Sequence, residues 1–196
     1  MTTDKEIEKQ RYNSRAQFSL SGKFHDKEKM GSINVALPLQ APYRHFERLI
    51  LDSYPSSEAS ILEIGSGTGA FTGILISSGA SVVATDISDL SLKVLVKNLE
   101  SPLNLRTKVV DMEELTFKDA SFDIITSAGA LSYGDNELVM NEIFRVLKPG
   151  GCFIAVDSLN NNPIYRLNRW VNYLRHKRTK NTLDRMPTLS LIECYR

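Results

Sequence analysis

Three carboxylates and a run of glycines carry the chemistry open to this chain. Glu63 stands inside an apolar run and is followed by Gly65, Ser66, Gly67, Thr68 and Gly69, in the segment LEIGSGTGAFT at 62–72. Ile61, Leu62 and Ile64 suit a buried parallel strand, and the glycines allow positive φ and close approach of a ligand to the main chain. A carboxylate in such a strand is costly unless it meets a charged ligand group or backbone donors, so Glu63 favours a cationic partner. Asp86 ends a second apolar run, SVVATD at 81–86. It lies about 20 residues beyond the glycine turn, the separation at which an acid meets ribose hydroxyls. Asp111, in VVDMEEL, follows a third run.

The glycine spacing is G-x-G-x-G, with Ala70 giving only a relaxed match to the dinucleotide pattern G-x-G-x-x-G/A. A tight strand-to-helix turn without ligand uses the same glycines. The competing readings are that Asp111 simply caps the next helix and that Ser127 ends a strand.

The elements that must position these groups alternate. The pattern predicts a polar helix at 4–17, a glycine-containing loop at 18–34 and a helix at 41–53 closed by Pro55. Strands follow at 61–64, 81–85, 105–110, 122–127 and 151–157, with helices at 69–78, 89–99 and 135–147. Lys148, Pro149, Gly150 and Gly151 read as the stop between the last helix and the fifth strand. Strands joined by helical crossovers make an α/β fold, a Rossmann-like, doubly wound, mostly parallel sheet with helices on both faces.

In this order the residues resemble the class I S-adenosylmethionine-dependent methyltransferases, whose first motif, hydrophobic-(D/E)-hydrophobic-G-x-G-x-G, is matched by residues 62–69. The resemblance runs on through Asp86, Asp111, SFDIITSAGALSY at 121–133 and EIFRVLKPGG at 142–151, covering 61–157, about half the chain. It is nearest the small-molecule, type 11-like branch, which includes quinone-biosynthesis and polysaccharide-associated enzymes. It implies S-adenosylmethionine as cofactor, with Glu63 near the methionine amino group and the backbone of residues 65–69 approaching the ligand. Asp86 would accept the ribose hydroxyls and Ile87 would pack on the adenine. Asp111 would bond the adenine amino group beside Met112. Ser127, Ala128, Gly129 and Ala130 would line the methionine end, and Tyr12 and Tyr133 would border the methyl-transfer site.

The family normally adds a sixth strand and an antiparallel seventh, whereas no strand pair is legible after residue 157. The sheet is therefore expected to have five strands. One domain is expected, with a helical cover segment at 1–54, the cofactor-binding core at 55–158 and a basic amphipathic segment at 159–196. Residues 163–176 form its helix, 177–186 a basic loop and 187–196 a short helix. Ile164, Leu167, Val171 and Leu174 recur at helical spacing, while Arg166, Arg169, Arg175, Lys177, Arg178, Lys180 and Arg185 are opposed only by Asp184. The segment reads either as a docked helix with a solvated basic face or as a surface for acidic lipid headgroups or an anionic, saccharide- or lipid-linked substrate.

No catalytic base is assigned. Methyl transfer from a sulfonium draws much of its rate from alignment and desolvation, and His25, His45 and His176 read as surface or packing residues. TSAGALSY lacks both the (D/N/S)-PP-(Y/F/W) motif and a Pro-Cys nucleophile, so DNA is not an expected acceptor, and a small molecule is. A net charge of +1 also argues against a nucleic-acid field. Cys152, placed in a buried strand, and Cys194 lack metal-ligand spacing, so no metal is expected and the setting reads as reduced and cytoplasmic. The polar amino terminus is unlike a signal sequence, and 42% hydrophobic with 24% charged residues is ordinary for a globular chain. Two other classes stay open: a dinucleotide-dependent oxidoreductase, which Glu63 and Asp111 disfavour, and a non-catalytic cofactor-binding protein.

Overall fold

The computed structural model describes residues 3–21, 40–53, 57–175 and 179–190. Five parallel strands, β1 (Ser60–Ile64), β2 (Ser81–Asp86), β3 (Leu105–Val109), β4 (Phe122–Ala128) and β5 (Leu147–Val156), form one sheet in the order β3-β2-β1-β4-β5. Helices α3 (Thr72–Ile76), α4 (Asp89–Asn98) and α5 (Asn136–Val146) supply crossovers, and no sixth or seventh strand occurs among the described residues. The Rossmann-like sheet read from the sequence is therefore the one observed.

Burial explains the layering. Ile61, Val82, Ile124 and Ile154 pack with Leu75 of α3 and with Phe46 and Ile50 of α2 (Gln40–Asp52) on one face. Leu62, Ile64 and Ile125 pack with Val139, Ile143 and Val146 of α5 on the other. Alternate strand residues face opposite sides, so both faces must be apolar, which is why these strands read as continuous runs.

Several boundaries differ from the sequence reading. The helix expected at 69–78 begins only at Thr72, because Gly65, Gly67 and Gly69 all have φ between +54° and +93° and hold the preceding segment out of the helical region. β5 begins at Leu147, so Lys148 to Gly151 lie within the strand rather than before it. Its irregular start pairs Phe122 with Leu147, and Lys148 Nζ bonds Asp123 2.8 Å away. Gly151 is required here, since a Cβ would stand 2.8 Å from the Asp123 carbonyl oxygen. Cys152 is exposed, not buried, and lies on β5, an edge strand with no further strand beside it among the described residues.

Both end segments carry helices. α1 (Asp4–Leu20) runs three residues further than expected and starts with a capping box between Thr3 and Glu6. α6 (Pro163–Leu174) leads to α7 (Asn181–Asp184), which replaces part of the expected basic loop. The orientation of α6 is the larger difference. Its apolar stripe does not dock: Ile164, Leu167, Trp170 and Leu174 are 76%, 61%, 52% and 54% exposed, while Arg169 on the other side is buried. Residues 22–34, Pro55, His25, His176 and Cys194 lie outside the described residues, as does most of the short helix expected at 187–196.

Candidate functional site

The sheet order reverses between β1 and β4, with β2 and β3 on one side and β5 on the other. At such a point the crossovers leave in opposite directions and open a crevice beyond the carboxyl ends of the strands. A cavity of about 320 Å³ lies there. It is lined by Glu63 of β1, the turn Gly65, Ser66, Gly67 and Thr68, then Asp86 and Ile87, Asp111 and Met112, and Ala128, Gly129, Ala130 and Tyr133. Three strand ends thus bring three carboxylates into one space.

Two of the expected residues are not in its wall. Gly69 faces α4, where a Cβ would stand 2.9 Å from Leu95 Cγ, so its missing side chain serves packing of the turn. Ser127 is buried within β4, and its hydroxyl has no hydrogen-bond partner among the described residues. Gly67 behaves differently from Gly69. At φ +54° a Cβ there would meet nothing within 4 Å, so the left-handed backbone, not crowding, is what calls for glycine.

The carboxylates differ in their surroundings. Glu63 is 4% exposed and accepts a hydrogen bond from Thr72 Oγ1 at 2.6 Å. Burial raises its pKa from 4.5 to about 7; the Thr72 bond pulls it down, and the Asp86 charge adds to the rise. A cation placed beside it would restore the charged form. Asp86 Oδ2 accepts from Gly67 N at 2.9 Å and Oδ1 from Ser88 N at 2.8 Å. Burial raises its pKa, and these backbone bonds oppose that. A carboxylate offers about four lone-pair sites, so each oxygen can still accept one hydroxyl. Asp111 Oδ1 takes the Glu113 N–H at 3.0 Å, while Oδ2 bonds Lys5 Nζ at 2.6 Å.

Lys5 belongs to α1, whose contribution the sequence reading reduced to Tyr12. Lys5, Glu8, Tyr12, Arg15 and Ala16 line the cavity from one helical face. Lys5 also bonds Glu113 at 2.5 Å, and Asn13 Oδ1 accepts from Ser88 Oγ at 2.7 Å. Tyr12 and Tyr133 meet edge to face with centroids 5.7 Å apart, and the Arg11 guanidinium lies 5.1 Å from the first ring and 5.7 Å from the second. Glu8 is buried and forms an ion pair with Arg11, and its oxygens have no further hydrogen-bond partner among the described residues. The i, i+3, i+4 spacing of 5, 8, 12 and 15 was the available signal, but nothing local says which face of a polar helix meets a cavity. His45 is exposed on α2 and lies outside the cavity wall.

The segment after β4 is held from a third direction. Leu131 to Tyr133 form a 3₁₀ turn; Leu131 N donates to Asp157 Oδ2 at 2.9 Å, and Ser132 Oγ accepts from Arg169 Nη1 at 2.9 Å. Tyr133 is thus fixed by residues that follow β5.

The residues fit an S-adenosyl ligand by these observations: an open turn backbone, a buried acid raised in pKa, and a Ser66 hydroxyl in the wall with no hydrogen-bond partner among the described residues. Residues 62–155 match the methyltransferase domain family. A demethylmenaquinone methyltransferase of Clavibacter sepedonicus is 36% identical over 108 residues, covering 53% of this chain and 42% of the relative. A ubiquinone/menaquinone biosynthesis C-methyltransferase of Pasteurella multocida is 28% identical over 158 residues, covering 76% and 56%. The chain therefore spans about half the length of these curated relatives. Among solved structures, YcgJ of Bacillus subtilis superposes with a TM-score of 0.64 at 27% identity, over 78% of this chain and 66% of that one.

Proposed function

We propose that this chain, which belongs to the class I S-adenosylmethionine-dependent methyltransferases, binds S-adenosylmethionine in the β1/β4 cavity and methylates a small aromatic acceptor of the quinone-precursor class. The observation that carries the reading is the meeting of Glu63, Asp86 and Asp111, from three strand ends, in one cavity. The acceptor class rests on the two curated relatives, both named for quinone acceptors. A polyprenyl tail would make that acceptor lipid-like; nothing comparable favours a saccharide.

Each residue has a task that follows from its surroundings. Asp86 accepts the two ribose hydroxyls on its remaining lone pairs, which costs little because backbone N–H groups already hold the carboxylate in place. Glu63 faces the ammonium of the methionine end and is charged when that cation is present. The turn at 65–68 presents its backbone to the ligand, Ile87 packs on the adenine, and Asp111 beside Met112 takes the adenine amino group, sharing its carboxylate with Lys5. Tyr12, Tyr133 and Phe71 surround the acceptor ring. The cofactor supplies an electrophilic sulfonium methyl.

An acceptor hydroxyl or ring carbon must also lose a proton. Glu8, ion-paired with Arg11, is the carboxylate that α1 brings to the cavity, and it is the group placed to take that proton. Calorimetric titration with S-adenosylmethionine and S-adenosylhomocysteine, with NAD as control, tests the cofactor. Micromolar binding of the first two alone is expected, and Asp86→Ala should weaken it by about 100-fold, the loss of two charge-assisted hydrogen bonds. Preference for NAD, or unaltered binding by that variant, would sink the assignment. Methyl transfer from labelled cofactor to a demethylmenaquinol then tests the acceptor, and binding without transfer would favour a non-catalytic cofactor-binding protein.

A further inference from the structure

α6 is docked inside out. Among its described side chains only Arg169 is buried, where Nη1 donates to Ser132 Oγ at 2.9 Å and to the Thr182 carbonyl at 3.5 Å, and Nη2 lies 3.9 Å from Asp157 Oδ1. Successive residues turn by about 100°, so Ile164, Leu167, Trp170, Val171 and Leu174 fall within roughly a third of the circumference, opposite Arg169. This face is an apolar stripe about three turns long held out toward solvent, with Val171 half-buried. Contiguous exposed apolar surface of this kind marks an interaction site, whereas isolated exposed residues do not.

The charges around the stripe select its occupant. Arg166, Arg175 and Lys180 are exposed, Lys177 and Arg178 follow in the sequence, and from Ser158 to Arg185 the one acidic residue is Asp184, which shares a groove with Arg166, Leu167 and Trp170. A second copy of this chain meeting stripe to stripe would bring these cations together with only Asp184 of each copy from the same segment to offset them. A surface of anionic lipid headgroups over an acyl layer answers both features at once, since the apolar face inserts shallowly while the cations stay among the headgroups.

We propose that α6 lies on an anionic lipid surface, with Ile164, Leu167, Trp170 and Leu174 at the acyl boundary and Arg166 and Arg175 among the headgroups. The buried Arg169 fixes which face looks outward. Arg169 also ties the docked helix to Ser132, the residue before cavity-lining Tyr133. The docking itself needs neither cofactor nor acceptor, so it can fail without touching the methyltransferase reading.

Trp170 is the chain's one tryptophan and reports directly. The purified chain is mixed with phosphatidylcholine vesicles containing about 30% phosphatidylglycerol, enough anionic lipid to attract cations within a Debye length. Cosedimentation with a blue shift of Trp170 emission is expected. Binding to pure phosphatidylcholine should be at least about 30-fold weaker, and R166Q/R175Q should lose about the same factor on the anionic vesicles. L167D/L174D alters only exposed positions and should abolish binding with an unchanged circular dichroism spectrum. No emission shift on anionic vesicles, equal binding to neutral ones, or vesicle binding that survives L167D/L174D would each overturn the proposal. So would a dimer in sedimentation equilibrium that L167D/L174D dissolves, because the stripe would then belong to a second copy.

Discussion

The two end helices attach to the same sheet by polar contacts, but with opposite results. α1 turns its contact face to the cavity: Lys5 reaches Asp111 and Glu113, Asn13 bonds Ser88, and Tyr12 meets Tyr133. α6 has a pronounced apolar face and turns it away, held by one buried arginine. Amphipathic pattern predicts which face of a helix docks only when burial of apolar surface is what docks it. Where a charged or polar group finds a better-matched partner inside, the stripe is left for something else.

The largest expected effect comes from breaking the α6 anchor. Arg169→Met removes the cation beside Asp157, whose buried carboxyl is already raised in pKa by burial and held down in part by Arg169. Removing one member of a buried pair costs about 3 kcal/mol or more. Hydrogen exchange should lose protection through 163–174, and Arg169→Met/Asp157→Asn should recover part of it; unchanged protection would mean that α6 is held by other contacts.

A smaller effect is expected at Glu63, on the other side of the comparison. Its folded pKa of about 7 exceeds the ordinary 4.5, so the folded state binds the proton more tightly. Stability is therefore lost as pH rises from about 4.5 to about 7, and is lowest above that window. Glu63→Gln cannot ionise and should gain on the wild type by about 1–2 kcal/mol between pH 5 and pH 8, less than the full ionisation cost because a buried amide keeps unpaired groups. The measurement is the difference in Tm between variant and wild type across that range, without cofactor. A difference independent of pH would show that Glu63 ionises as an exposed acid does.

The smallest effect belongs to the α1 attachment. Lys5 is 34% exposed, and partly exposed ion pairs contribute about 0–1 kcal/mol. Lys5→Ala should leave the fold intact and raise S-adenosylmethionine affinity by no more than about threefold, by freeing Asp111 for the adenine. A tenfold loss in the same titration would make Lys5 part of the cofactor site rather than its competitor.

The legibility of the molecule follows the range of the interactions. The strand–glycine–helix corner, Asp86 at the end of β2 and Asp111 after β3 were readable because a few adjacent residues carry both the backbone geometry and the chemistry. The number and direction of strands followed from apolar runs separated by crossovers. Gly69 was legible as a glycine but not as a packing glycine, because its reason is Leu95, which is distant in sequence. Cys152 sits in a strand, as the pattern implied, but it is exposed, on a strand that only the sheet order shows to be an edge.

What the sequence by itself determined is the α/β architecture and the run of acids and glycines that makes the cofactor corner, since local propensity and short spacing suffice for both. Only the tertiary structure decided that Lys5 and Glu8 enter the cavity wall and that α6 exposes its apolar face. Those outcomes turn on partners 37 to 108 residues away, such as Ser132 for Arg169 and Glu113 for Lys5. No local pattern contains the burial and charge of such distant neighbours.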